Sequence, residues 1–234
     1  MNIVPMSVEY VDHMGSDVNV VNAARVSFNK VVDEFTDKDA KLLSYLAKHD
    51  HWSPFAHTSI SIRIKAPMFL AAQFKKHQIG LTWNEVSRRY VSSEPEFYWP
   101  AIWHNKPDNV KQGSSDDANF YMLATNVDCP QQQTIEQSIK QDLSGIVEWY
   151  AAMISCGVAP EEARMILPQN TMTEWVWTGS AMAFARVIKQ RVGGGAQRAA
   201  GELAEMIKEV VVPCYPATFA ALLTEELDKK ETNK

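Results

Sequence analysis

The chain has 234 residues, 46% hydrophobic and 22% charged, with a formal net charge of −5 at pH 7. This composition fits one globular domain, and its acidity counts against a polyanion as partner of the whole molecule. No apolar run approaches the roughly 20 residues that cross a bilayer, and the opening MNIVPMSVEYVDHMG has neither the basic start nor the apolar core of a secretion signal. Cys129, Cys156 and Cys214 are scattered and odd in number, which argues against a disulfide framework and for a reducing cytoplasm.

In chain order, the first residues and MSVEYVD predict a short strand, and VNAARVSFNK begins a helical pattern. Residues 36–50 predict a helix capped by Thr36, with Leu42, Leu43, Tyr45 and Leu46 clustered behind it. TSISIRIKA (58–66) alternates Ile60, Ile62 and Ile64 with polar residues, the period of a half-buried strand ending at Pro67. MFLAAQFKKH then reads as a helix closed by Gly80, with IGLTW as a loop and NEVSRRY as a turn or short strand. Residues 104–118 are the most loop-like. Beyond 130 the pattern predicts helices: 131–155, APEEARMILP, a long helix near 172–191, AQRAAGELAEMIKEVVV and PATFAALLTEEL. No repeat or linker interrupts this, so the expectation is a single α+β domain over 1–234, with a small antiparallel sheet packed against several helices.

Charge concentrates in KKHQIGLTWNEVSRRY (75–90), where Asn84, Glu85 and Ser87 sit among the bases. Glu85 and Arg89, four apart, could be a helical ion pair, and Lys75 and Lys76 solvated helix ends. Together, however, these side chains suit a nucleotide: arginine forks match phosphate oxygens, Asn and Ser offer neutral hydrogen bonds, and Glu accepts from a hydroxyl or ring N–H. Arg191 ends an apolar face running through Trp177, Ser180, Phe184, Val187 and Ile188. It either meets a helix C-terminus or partners an anion. Arg164 either pairs with Glu161 or turns inward. His49 and His51 lie close together, but no HExxH motif or carboxylate cluster accompanies them, so no metal is expected. None of the cysteines has the setting of a nucleophile.

PMFLAAQFKKHQIGLTWNEVSRRYV (67–91) resembles the signature of the flavin-dependent thymidylate synthases, with Lys76-His77-Gln78 where Arg-His-Arg is usual and Asn84 to Tyr90 matching the rest. AARVSF (23–28), His51-Trp-Ser-Pro-Phe, ARMILP with Arg164, the helix ending at Arg191 and CYPATFAALL extend the likeness over most of 20–225. Ser180, Met182 and Arg186 replace residues that relatives use against the flavin. The resemblance implies a homotetramer with shared active sites. It implies reductive methylation of dUMP to dTMP without a cysteine nucleophile, the one-carbon unit coming from methylenetetrahydrofolate and the hydride from FAD reduced by NADPH. It assigns Gln73, Lys76, Glu85, Ser87, Arg88, Arg89, Arg164 and Arg191 to dUMP, with Arg191 catalytic at the uracil imide. Ser53, Lys76, His77, Gln78, Glu85, Ser180 and Arg186 fall to FAD, and His51 lies near the folate. Two rivals stand beside this reading: a nucleic-acid module using Lys75, Lys76, Arg88 and Arg89, disfavoured by net charge and by Glu85, and a related flavin enzyme acting on another pyrimidine nucleotide.

Overall fold

The computed structural model describes residues 1–108, 113–124, 134–193 and 197–224. In chain order these form β1 (Asn2–Ile3), β2 (Ser7–Met14), α1 (Asp17–Arg25), α2 (Asp37–Lys48), α3 (Ser53–Ala56), β3 (Ser59–Pro67), α4 (Met68–Phe74), β4 (Leu81–Glu85) and β5 (Glu96–Phe97). There follow α5 (Ile135–Ser155), α6 (Pro160–Ala163), β6 (Met172–Gly179), α7 (Ala181–Arg191), α8 (Arg198–Val211) and α9 (Pro216–Leu222). Four strands form an antiparallel sheet in the order β2-β3-β6-β4, while β1 and β5 pair in parallel, an addition that the sequence did not predict. The α+β class is as expected.

The chain divides into two compact units. Unit 2 comprises Ser7–Ile64, Phe74–Asn84 and Trp175 onward. Its core forms because apolar residues recur at the period of each element. Ile60, Ile62 and Ile64 of β3 are fully buried on alternate positions, and Leu203, Ile207 and Val211 bury one stripe of α8. Each such side chain contributes about 1.5–3 kcal/mol by leaving water. α8 packs on α7 and β2, and α9 packs on α2. Two polar devices set helix ends. Thr36 donates to Asp39 Oδ2 through its backbone N at 2.9 Å and its hydroxyl at 2.7 Å, and Arg25 closes on the other oxygen. Asp17 accepts from the backbone N–H groups of Ala217 and Thr218 at 3.0 and 2.8 Å, capping α9 from a distant part of the chain.

Unit 1 comprises Met1–Met6, Lys65–Gln73 and Glu85–Glu174. Backbone bonds tie its segments together: Val4 N to Phe97 O at 3.0 Å, Met68 N to Thr171 O at 2.9 Å and Val86 N to Glu174 O at 2.8 Å. On α5, Glu136 accepts from Trp99 Nε1 at 2.7 Å and from Lys140 at 2.6 Å. The lysine, above all, holds the Glu136 carboxyl below its ordinary range.

The long helix expected near 172–191 is instead a strand followed by a helix. Within Met172–Gly179, Trp175, Trp177 and Gly179 are buried while Val176 is exposed, which is a period of two. Trp177 therefore shares a strand face with Trp175 rather than a helix face with Phe184. Ser180 marks the boundary: its hydroxyl accepts from Ala183 N at 3.2 Å, so it caps α7 from outside. IGLTW, expected as a loop, supplies most of β4, and α4 stops at Phe74 rather than near Gly80. APEEARMILP is a single turn, α6, continued by a 3-10 turn over Arg164–Ile166. The helix expected from 131 is described from Ile135. Residues 131–133, Cys129, part of the 104–118 segment and the end of the last helix lie outside the described residues.

Candidate functional site

Unit 1 contains a cavity of about 600 Å³ whose wall includes Lys65, Glu85, Arg88, Glu161, Arg164 and Glu174. The elements explain the arrangement. Glu85 ends β4, Thr173 and Glu174 open β6, and the 3-10 turn presents Arg164. Lys65 is paired with Glu96, so its charge is already met. The two arginines are different. Arg88 donates from one terminal nitrogen to Ser93 O at 3.0 Å, and Arg164 donates from Nε to Glu161 O at 3.2 Å. Neutral carbonyls thus hold both guanidiniums in place without cancelling their charge. Thr173 Oγ1 donates to Glu85 Oε1 at 2.9 Å, fixing one carboxylate oxygen. The cavity is therefore mixed in sign, with cations for an anion and an oriented carboxylate for an N–H or hydroxyl.

Of the residues assigned to dUMP, the structure brings Glu85, Arg88 and Arg164 to this one wall. Arg164 takes neither of its two sequence-level alternatives, since it bonds the Glu161 carbonyl and remains exposed. Ser87 and Arg89 follow Glu85 in the chain but bond each other: Arg89 Nε donates to Ser87 Oγ at 3.1 Å, and its guanidinium lies 5.1 Å from the Tyr90 ring centroid. Gln73 is half-buried near the end of α4. Thr173, Glu161 and Lys65 are additions that sequence reasoning missed. Thr173 lies inside the segment expected as a helix, and its strand period was the signal that could have exposed it.

The other assigned residues fall in unit 2. Arg191, half-buried in the last turn of α7, donates from Nε to His77 Nε2 at 3.1 Å, with its guanidinium 5.7 Å from the Phe74 ring centroid. His77 is flanked by Phe74 at 6.1 Å and Trp177 at 6.5 Å between ring centroids. Burial, and secondarily the Arg191 charge, push its imidazole below the ordinary value. Trp83 stacks on Trp175 at 4.3 Å and carries Lys75 at 5.7 Å from its ring centroid. Gly80 holds φ +75, and a Cβ there would meet Ala183 Cβ at 3.3 Å, so β4 enters close against α7. Ser53, Lys76, Gln78 and Arg186 are exposed. His51, also exposed, lies 6.3 Å from Tyr45 and 6.4 Å from His49 between ring centroids.

The residues assigned to FAD, apart from Glu85, thus share unit 2. Their chemistry fits an anionic dinucleotide. Lys76 and Arg186 are exposed cations with no ion pair or hydrogen bond among the described residues, while Ser53 and Gln78 add neutral donors. Ser180 Oγ is engaged as a cap acceptor, which leaves its hydroxyl proton available.

A model of the thymidylate synthase complementing protein family matches residues 9–217. The flavin-dependent thymidylate synthase of Thermosipho africanus is 34% identical over 214 residues, covering 91% of this chain and 89% of that protein. The Anaplasma marginale protein of the same name is 33% identical over 227 residues, 97% of this chain and 75% of its own length. Among solved structures, a UMP/dUMP methylase from Streptomyces cacaoi bound with 5-Br dUMP is similar at a TM-score of 0.78 and 27% identity, over 96% of this chain and 97% of that one. Signature, fold and matches agree, and the chain belongs to the thymidylate synthase complementing protein family, that of the flavin-dependent thymidylate synthases.

Proposed function

We propose that the protein converts dUMP to dTMP by reductive methylation, with methylenetetrahydrofolate as one-carbon donor and no cysteine nucleophile. The observation that carries this reading is the unit 1 cavity, where Arg88 and Arg164 keep uncancelled charge beside an oriented Glu85. Arg88 and Arg164 bind the phosphate, and Glu85 accepts from a sugar hydroxyl or ring N–H. Gln73, Lys76, Ser87 and Arg89 complete the nucleotide contacts. Arg191 faces the uracil imide and stabilises the negative charge that grows there, which makes the ring carbon more nucleophilic. Ser53, Lys76, His77, Gln78, Glu85, Ser180 and Arg186 hold FAD, and His51 stands near the folate. FAD, reduced by NADPH, supplies the hydride when bound.

The two units are parts of one catalytic domain over 1–234, a reading supported by β3, β4, β6 and α4, each of which crosses the division in the chain. The assembly is a homotetramer with shared sites, testable by light scattering on the purified protein. No described helix is long and apolar enough to cross a membrane. The decisive experiment incubates the flavin-loaded protein with dUMP, methylenetetrahydrofolate and NADPH and reads dTMP by chromatography. Absence of dTMP from folded, flavin-bound protein refutes the reading. A second substrate, UMP, is favoured by one finding: the similar Streptomyces protein is described as a UMP/dUMP methylase. The same assay with UMP distinguishes the two.

A further inference from the structure

We infer that His77 is a positioning residue for Arg191, accepting its Nε–H and so fixing the direction in which the guanidinium presents its terminal nitrogens. This rests on the role proposed above for Arg191 and goes beyond it, because it moves His77 from the flavin set into the support of the catalytic arginine.

The hydrogen bond has one chemical direction. A guanidinium has no acceptor, so at 3.1 Å Arg191 Nε donates and His77 Nε2 accepts. Nε2 therefore carries no proton, and the imidazole proton sits on Nδ1. The ring is held for this task by Phe74 and Trp177, and Phe74 also lies against the guanidinium. Burial and the arginine charge both oppose protonation of the ring, which keeps the acceptor in place.

The choice of acceptor has an electrostatic consequence. A carboxylate at this position would orient Arg191 equally well, but it would also cancel its charge. An imidazole orients the side chain and leaves its full positive charge uncancelled. Among the described residues the Arg191 side chain makes no other hydrogen bond and no ion pair. On this half-buried residue the terminal nitrogens are thus uncommitted, as a group that stabilises charge developing on a substrate must be. Without His77, α7 would fix only the Cα of Arg191, and a long side chain carrying about 2 kcal/mol of rotamer entropy would have to be ordered during reaction. Nε2 is also unavailable to a cofactor while this bond stands, leaving Nδ1–H as the ring's only polar contact for the flavin.

The test has two arms. The first reads the tautomer directly, through ¹⁵N chemical shifts of histidine-labelled flavin-loaded protein, with His77 assigned by comparison with His77→Gln. A protonated Nδ1 and bare Nε2 are expected, and a proton on Nε2 overturns the inference whether or not the protein makes dTMP. The second arm compares His77→Leu with His77→Gln at saturating dUMP, flavin content being measured in each. Misplacing Arg191 should lower kcat on the order of ten- to a hundredfold in His77→Leu, with KM for dUMP moving far less. His77→Gln, which restores a neutral acceptor, should recover most of that loss. Unchanged turnover in His77→Leu, or a glutamine variant as slow as the leucine one, overturns the inference. Should His77→Leu fold poorly, the tautomer and the glutamine variant still decide. A wild-type protein making no dTMP would refute the proposed function alone, and the tautomer would still test the bond independently.

Discussion

Arg164→Ala offers the cleanest perturbation of the cavity. The only side-chain hydrogen bond of Arg164 among the described residues is Nε to Glu161 O at 3.2 Å, so both terminal nitrogens lack a protein acceptor there. Such an exposed backbone contact is worth little to the fold, and the variant should melt within about 0.5 kcal/mol of wild type. Its value should appear on binding. A charged hydrogen bond is worth about 1.5–3 kcal/mol. Because Arg164 is exposed and screened, even a two-pronged contact with phosphate falls near about 2–3 kcal/mol in all. At 1.4 kcal/mol per tenfold, dUMP affinity should weaken roughly 30- to 140-fold. Titration calorimetry of dUMP into flavin-loaded protein measures this directly. Arg164→Lys should recover only part, because an ammonium lacks the planar fork. Deoxyuridine, which has no phosphate, should bind wild type and Arg164→Ala alike. A loss of less than threefold for dUMP, or an equal loss for deoxyuridine, would refute Arg164 as a phosphate ligand.

Four further outcomes are expected. Arg89→Ala should chiefly raise the dUMP concentration needed, whereas Arg191→Ala should lower turnover on the order of a hundredfold even at saturation, as steady-state kinetics would show. Lys76→Ala and Arg186→Ala should each weaken flavin retention, measured by absorbance after gel filtration; full retention in both would exclude them as flavin contacts. Replacing Cys129, Cys156 and Cys214 by serine should leave activity above about a tenth of wild type, since the proposed reaction uses no cysteine nucleophile. Asp39→Ala removes the acceptor for Thr36 and leaves Arg25 partly buried without its partner, so denaturant titration should show a loss of about 2–4 kcal/mol. The pH dependence has a definite sign. The bond from Thr36, then Arg25, holds the Asp39 carboxyl below its ordinary value, so its contribution is full above the unfolded-state value and disappears as pH falls through the folded one. Asp39→Asn should flatten that acid limb.

The sequence was most readable where local pattern and tertiary use agree. β3 alternates in the chain and is buried on alternate residues, and Thr36 begins α2 as its hydroxyl chemistry suggests. It was least readable at 172–191, where tryptophans at a strand period happen to continue the three- and four-residue steps of α7. Two boundary signals were present: Gly179, and Ser180 in the extended conformation of a cap. The same overlap of periods concealed Thr173. Glu85, Arg88 and Arg164 could be named from the signature, but their common wall depends on segments nearly 80 residues apart, which no local period encodes. The His77–Arg191 bond spans 114 residues and was equally out of reach.

The mixed charge of KKHQIGLTWNEVSRRY follows from how its members are employed. The compact units divide between Asn84 and Glu85, so the two parts of the stretch belong to different units. In its first part, Lys75 lies over Trp83, His77 accepts from Arg191, and Lys76 is left with no carboxylate partner among the described residues. In its second part, Thr173 donates to Glu85, Arg88 bonds a backbone carbonyl, and Arg89 bonds Ser87 and lies against Tyr90. The helical ion pair of Glu85 with Arg89 does not form, since Glu85 ends a strand and a spacing of four brings side chains together only on a helix. Neutral groups orient Arg88 and Arg89, and those groups leave their charge intact. A stretch built for a solvated surface would have paired its own acids and bases; here Arg88 and Arg89 bond neutral partners instead, as the proposed nucleotide site requires.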